Sequence, residues 1–163
     1  MRTAESLEIT TPNDRDVVVR RWFDAPRNLV FDALTRPELL RRWYGPVGWT
    51  LRTCEIDLRV GGHWRFVIHR PDGKAIGQKG EYREIVPGER LVNTEFWEDW
   101  DAGETLVTTD LVESTGRTAF TSTMRFPSRE VRDIVLKNGL ERGVREVYAR
   151  LDEVLNSLSE AVG

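Results

Sequence analysis

The hydrophobic pattern of the C-terminal part of the chain predicts a helix around which the rest is organised. From Leu140 onward, apolar residues recur at steps of three and four, the period of one face of an α-helix, and charged residues fill the positions between them. In Lys137-Asn138-Gly139 a glycine follows two residues after a basic residue, a pattern typical of the end of a helix. We expect a short helix from Ser128, a kink near Gly139, and a long amphipathic helix to about residue 158.

The middle of the chain has the pattern of an antiparallel meander. β-Branched and aromatic runs separated by turn sequences such as Pro71-Asp72-Gly73 predict the strands. These strands are residues 17–23, 49–57, 63–69, 79–86, 90–97, 104–113 and 117–126. Two short helices follow the first strand, and the second runs from Pro37 to Trp43. This order predicts an α+β fold, a curved antiparallel sheet of about seven strands wrapped around the long C-terminal helix.

The length of 163 residues fits one domain. We expect a polar N-terminal lead-in over residues 1–16, a single domain over 17–158 and a frayed tail over 159–163. A curled sheet and a straight helix rarely fit together without a gap. A cavity between the two is therefore expected.

Composition and charge exclude several classes of protein. The net charge of −3 argues against a nucleic-acid binder that relies on a basic face. We expect no signal peptide, because no apolar run follows Arg2, and no membrane association, because no stretch approaches 18 apolar residues. The single cysteine, Cys54, excludes an internal disulfide and fits a reducing cytoplasm. No phosphate loop, dinucleotide fingerprint or zinc spacing is present, so no cofactor and no metal are predicted.

Three segments of the chain resemble a known family. They are Arg42-Trp43-Tyr44-Gly45-Pro46, the block CEIDLRVGGHWRF at residues 54–66, and EIVPGERL at residues 84–91. The chain is similar over about residues 17–158 to bacterial members of the activator of Hsp90 ATPase homologue 1-like (AHSA1-like) family. That family belongs to the START-like, or SRPBCC, superfamily.

The resemblance implies the helix-grip fold, with a cavity between the sheet and the C-terminal helix. Domains of this family often pair, so it also suggests a homodimer. It does not fix the function, because START-like domains include lipid carriers, hormone receptors and polyketide cyclases. Two positions depart from the family pattern: Gly143-Val144 replaces a frequent Gly-Trp pair, and Ser122 stands where an apolar residue is usual. If that tryptophan normally fills the cavity, the cavity of this chain is wider.

Aromatic and small side chains provide candidates for a ligand site. Strand alternation places Trp64 and Phe66 on one face, and it does the same for Phe120 and Met124. The candidate cavity-lining residues are Trp43, Tyr44, Trp64, Phe66, Phe96, Trp97, Phe120, Met124, Phe126, Gly139, Leu140 and Gly143. The alternative is that the rings fill an ordinary core, and that the two glycines serve a kink and close helix–sheet packing.

No residue is assigned a catalytic role. Glu81 and Glu95 would serve as general acid and base if they point inward, but strand parity does not settle their direction, because Tyr82 and Ile85 compete for the inner face. Alternation places His63 opposite Trp64, towards solvent, and Cys54 is expected to be a buried structural thiol.

Three functions remain open from the sequence. The first is binding of a hydrophobic or amphiphilic small molecule, which would enter near Trp43 and Trp100. The second is a polyketide cyclase-like or hydrolase-like enzyme. The third is a protein-interaction module in stress response or chaperone assistance, which predicts an exposed apolar patch at residues 97–100.

Overall fold

The structure is a computed structural model that describes residues 7–162. Within that range it contains eight strands and four helices, which confirms the predicted α+β fold. In chain order they are β1 (Glu8–Thr10), β2 (Asp16–Phe23), α1 (Arg27–Thr35), α2 (Pro37–Trp43), β3 (Thr50–Ile56), β4 (His63–His69), β5 (Ala75–Val86), β6 (Arg90–Trp97), β7 (Trp100–Ser114), β8 (Arg117–Arg125), α3 (Arg129–Lys137) and α4 (Leu140–Val162).

All eight strands form one open antiparallel sheet in the order β1-β2-β8-β7-β6-β5-β4-β3. From β3 to β8 each strand pairs with the next along the chain, as expected for a meander. The chain then returns to β2, which pairs with β8 through a register that matches Phe23 with Thr118. The long helix α4 buries Leu151 and Leu155 completely, and this apolar face packs into the core beneath the sheet. The helix-grip prediction is confirmed.

The expected break between the last two helices lies at Gly139. Its φ of +89° is a left-handed conformation that glycine adopts without steric cost. At the other end of α3, the Ser128 hydroxyl accepts a hydrogen bond from the Val131 amide at 3.1 Å and so caps the helix. The two helices can therefore change direction at residue 139.

Some boundaries differ from the sequence-based prediction. The expected lead-in contains β1, where Glu8 pairs with Arg20 of β2. Strand β5 begins at Ala75 and not at residue 79, because its pairing with β4 continues as far as Ala75, which lies opposite His69. Helix α4 continues to Val162 instead of fraying after residue 158. Residues 1–6 of the lead-in and Gly163 of the tail lie outside the described residues.

Candidate functional site

A cavity of about 220 Å³ lies between the inner face of the sheet, helix α2 and helix α4. Its walls are mostly aromatic and aliphatic, with a few polar groups. The lining residues are Leu34, Leu40, Trp43, Tyr44, Trp64, Phe66, Tyr82, Leu91, Asn93, Glu95, Val107, Thr109, Phe120, Ser122, Met124 and Tyr148.

Among these lining residues, six aromatic side chains form an unbroken series of ring contacts. Such edge-to-face and tilted contacts stabilise ring positions beyond simple burial. The series therefore gives the cavity a preformed wall. The successive centroid distances are 4.8 Å for Trp64–Phe66, 5.1 Å for Phe66–Tyr44, 5.7 Å for Tyr44–Trp43, 6.4 Å for Trp43–Tyr148 and 5.1 Å for Tyr148–Phe120.

The sheet side of this wall depends on a glycine. Alternation along β4 turns Trp64 inward, and its cross-strand partner on β5 is Gly80. The Trp64 indole Nε1 donates to the Thr94 carbonyl at 3.2 Å. A Cβ on Gly80 would lie 2.6 Å from that nitrogen and 1.9 Å from the Thr94 oxygen. The indole therefore occupies the space that any other residue at position 80 would need.

The helix side of the wall is fixed by a buried arginine. Arg21 of β2 donates to the backbone carbonyl of Tyr148 at 2.7 Å and lies 4.0 Å from the carboxylate of Asp152. Tyr148 and Asp152 are one helical turn apart on α4, so both contacts hold the same face of the helix. The Tyr148 ring is thereby positioned against Phe120 and Phe23.

Glu95 is the acidic group in the cavity. It shares the inward face of β6 with Leu91 and Asn93, at every second residue. Burial raises the pKa of its carboxyl to about 7, because desolvation penalises the charged form. Among residues 7–162 no group donates a hydrogen bond to it, and none forms a salt bridge with it. The carboxyl is therefore available to a bound molecule.

Two tyrosines respond to the same environment. The Tyr44 hydroxyl donates to the Gln78 side-chain oxygen at 2.8 Å. Burial, followed by the nearby Glu95 charge, raises the pKa of Tyr44 and of Tyr148 well above the usual value. Both hydroxyls are therefore neutral around pH 7, and they add polar but uncharged groups to the cavity.

Half of the sequence-predicted ligand-binding residues come together at this cavity. They are Trp43, Tyr44, Trp64, Phe66, Phe120 and Met124. Phe96 instead lies on the outer face of the sheet, in a charged depression beside Arg83 and Glu104. Phe126 lies past the cavity, in a second apolar cluster with Val17 and Val19 beneath α3.

Trp97, Gly139 and Leu140 line a separate open groove of about 700 Å³. This groove lies between the hairpin that joins β6 to β7 and the break between α3 and α4. It also includes Trp100 and Ile134, whose exposed fractions are 37% and 44%. The sequence-based hypothesis of a protein-interaction module predicts an exposed apolar patch at this place.

Neither Gly139 nor Gly143 lines the cavity. A Cβ on Gly139 or on Gly143 would meet no atom within 4 Å. Close helix–sheet packing is therefore not the reason for these glycines. Val144, where the family often has tryptophan, packs in the second cluster and not against the cavity. No structural reason for Gly143 is evident.

The other candidate chemical groups lie apart from the cavity. Glu81 points outward and pairs with Arg83 at 3.1 Å and with His63 at 3.8 Å. The His63 side chain is 80% exposed, as alternation predicts. Cys54 is buried, and burial raises the pKa of its thiol to about 11, which makes it a structural thiol. Across residues 7–162 no cluster of three or more His, Cys, Asp or Glu could hold a metal ion.

The sequence-based set omitted several lining residues, chiefly Tyr148, Asn93, Thr109 and Ser122. Tyr148 could have been found, because it continues the four-residue spacing of Leu140 and Val144 along the apolar face of α4. Ser122 could also have been found, because it lies between Phe120 and Met124 in the two-residue period of β8. Asn93 and Thr109 carried no such signal, because polar side chains on a strand do not by themselves mark its inward face.

Comparisons with known proteins agree with this architecture. A family model described as "Activator of Hsp90 ATPase homolog 1-like protein" matches residues 24–156. The chain belongs to this family. The AHSA1-like resemblance found in the sequence is thus confirmed over most of the domain. No functionally curated protein matches the chain.

Solved structures from other bacteria share the fold. A protein from Rhodobacter sphaeroides is 30% identical, with a TM-score of 0.87 over 93% of this chain and 99% of that one. A protein from Nitrosomonas europaea is 25% identical, with a TM-score of 0.84 over 92% and 99%. The AHSA1 protein from Silicibacter pomeroyi, 21% identical with a TM-score of 0.71 over 86% and 97%, shares the fold. No helix within residues 7–162 is long and apolar enough to cross a membrane.

Proposed function

We propose that this AHSA1-like domain binds a small amphiphilic molecule in the cavity between the sheet and α4. The observation that carries the proposal is the combination of six contacting aromatic rings with one unpartnered carboxyl, Glu95, around a single space. An ordinary core would be filled by its own side chains to crystal-like density. A space of about 220 Å³ within such a core is available to a ligand.

The size of the cavity limits the ligand. Sites for drug-sized molecules usually measure about 300–1,000 Å³, whereas an apolar cavity of about 150 Å³ accepts benzene. A volume of about 220 Å³ therefore fits a molecule with one ring or a short branched chain. Burial of its apolar surface would supply the driving force, at about 25 cal/mol per Å² before the costs of association.

The polar groups make the site amphiphilic. Glu95, Asn93 and Ser122 lie among the rings, and each can form a hydrogen bond with a ligand. A purely aliphatic molecule would leave these groups without partners. The ligand is therefore expected to present an apolar body together with at least one polar substituent.

A variant that fills the cavity tests the proposal. Ser122 is buried and points into the cavity, so Ser122→Phe places a ring in the ligand space. Ser122→Leu fills the same space with a smaller side chain. Thr121→Phe adds the same ring on the opposite face of β8 and serves as the control. Native mass spectrometry of gently purified protein, before and after incubation with a small-molecule extract of the producing cells, would compare them.

The proposal predicts a small-molecule adduct on the wild type and on Thr121→Phe that is lost on denaturation. Both Ser122 variants should carry little of it while remaining folded by circular dichroism. Bare chain masses for the wild type both before and after incubation would contradict the proposal. Equal adducts on all the variants would contradict the location.

One observation favours a second candidate, a cyclase-like or hydrolase-like enzyme. A carboxyl with a pKa of about 7 inside a cavity suits general acid–base catalysis near neutral pH. If the domain is an enzyme, the wild type will convert a component of the extract and Glu95→Gln will not. The protein-interaction module and the homodimer stay predictions from the sequence.

A further inference from the structure

The cavity contains a negative group without a positive partner. Glu95 is the acid among its lining residues, and none of the described lining side chains is cationic. Arg21, the arginine near Tyr148, faces Asp152 and the Tyr148 carbonyl. A carboxylate that loses water without gaining a cation or donor carries a large desolvation cost.

Two polar groups near Glu95, Asn93 and Tyr44, keep acceptor oxygens open to a ligand. The Asn93 amide nitrogen donates to the Thr94 carbonyl at 3.1 Å, which leaves its side-chain oxygen and one N–H for other partners. The Tyr44 hydroxyl donates its proton to Gln78, which leaves the lone pairs of the Tyr44 oxygen free to accept a hydrogen bond. A ligand group that donates several hydrogen bonds would satisfy these oxygens, whereas a carbonyl or a carboxylate would not.

The aromatic wall also favours positive charge. The faces of tyrosine and tryptophan rings attract cations, most strongly when water is excluded. Trp43, Tyr44 and Tyr148 are linked by ring contacts in the same cavity as the carboxyl. A protonated amine is the small group that combines positive charge with several donors.

We infer that the ligand of the proposed site carries a protonated amine, held between the Glu95 carboxylate and the surrounding aromatic rings. This inference rests on the proposed function and adds the chemical class of the ligand. The neighbouring titratable groups do not compete: Tyr44 on the α2 side and Tyr148 on α4 stay neutral around pH 7, and Arg21 is paired with Asp152.

Three probes of similar shape test the charge requirement: benzylamine, benzyl alcohol and benzoate. Their dissociation constants would be measured by calorimetry or by NMR titration at pH 8, where Glu95 is mostly ionised. The inference predicts that benzylamine binds about tenfold or more tightly than benzyl alcohol, and that benzoate binds most weakly. At pH 5.5 the preference should shrink, because the carboxyl becomes neutral.

Two variants complete the test. Glu95→Gln should reduce the ratio of benzylamine to benzyl alcohol affinity towards one. Glu81→Gln, an acid on the outer face of the same sheet, should retain the wild-type ratio. If benzyl alcohol or benzoate binds in the cavity as tightly as benzylamine, the inference is wrong while the proposed function stands. If none of the three probes binds in the cavity, the proposed function fails as well.

Discussion

Arg21 and Asp152 form a buried ion pair that joins strand β2 to helix α4, with 4.0 Å between their charged atoms. Their side chains are only 2% and 8% exposed. Arg21 also donates to the Tyr148 carbonyl one turn earlier on the helix. The pair thus fixes the position of α4 over the cavity, and with it the Tyr148 ring.

Arg21→Met should destabilise the domain strongly. Removal of one member of a buried ion pair leaves the other charge without compensation, at a cost of about 3–5 kcal/mol. Arg20→Met is the matched control on the same strand, because the Arg20–Glu8 pair is 54% and 62% exposed and should contribute less than about 1 kcal/mol. Urea denaturation measures both. Equal losses for the two variants would show that Arg21 does not hold the helix.

Glu95 should make the stability of the domain depend on pH. Its folded pKa of about 7 lies above the ordinary value of 4.5, so the folded state holds the proton more tightly than the unfolded state. Stability is therefore highest below about pH 4.5 with respect to this group, and it falls as the pH rises to about 7. The shift corresponds to a loss of about 3 kcal/mol.

Glu95→Gln removes this ionisation and should be more stable than the wild type at pH 8 but not at pH 4.5. Glu81→Gln provides the control, because Glu81 is partly exposed and paired with Arg83. The measurement is the free energy of unfolding in urea at the two pH values. A difference between Glu95→Gln and wild type that does not change with pH would contradict the burial of an ionisable Glu95.

The two glycines of the C-terminal helices should respond to alanine in opposite directions. Gly143 lies inside α4 in open space, so Gly143→Ala should stabilise the domain by about 0.5–1 kcal/mol. Gly139 has a φ of +89°, so Gly139→Ala should destabilise it by about 1 kcal/mol. Thermal unfolding compares the two variants directly, and a loss of stability in Gly143→Ala would indicate a packing role for that residue.

Gly80→Ala should disturb the cavity wall. The added Cβ would overlap the Thr94 carbonyl and the Trp64 indole, and such overpacking costs about 1–3 kcal/mol. Because Trp64 must move, the near-ultraviolet circular dichroism should change as well. Unchanged stability together with an unchanged aromatic spectrum would mean that the indole does not occupy the space above Gly80.

The alternation of apolar residues predicts much of this architecture. Trp64 and Phe66 on β4 and Phe120 on β8 face inward as the two-residue period requires. Each of these strands keeps a regular register along the residues concerned, so side chains two apart share a face. Gly139 likewise follows the end of α3, as the sequence Lys137-Asn138-Gly139 predicts, because few other residues adopt its backbone conformation.

Irregular registers explain what the pattern did not predict. The register of β5 against β6 shifts between Tyr82 and Glu84. Tyr82 and Ile85, three residues apart, can therefore both pack in the core, and the direction of Glu81 cannot be read from alternation. A second shift follows Glu95 on β6, and Trp97 does not line the cavity as Leu91, Asn93 and Glu95 do. Such bulges depend on cross-strand pairing, which a single strand sequence does not specify.

The most direct test of ligand binding is a methyl NMR titration of the wild type with benzylamine, benzyl alcohol and benzoate in turn. Leu34, Leu91 and Val107 line the cavity, whereas Val47 and Val112 are 69% and 63% exposed and serve as internal controls. The proposal predicts saturable shifts of the three cavity residues and no comparable shifts of the two controls. For all three probes, shifts confined to the exposed valines, or no saturable shift at the cavity, would contradict it.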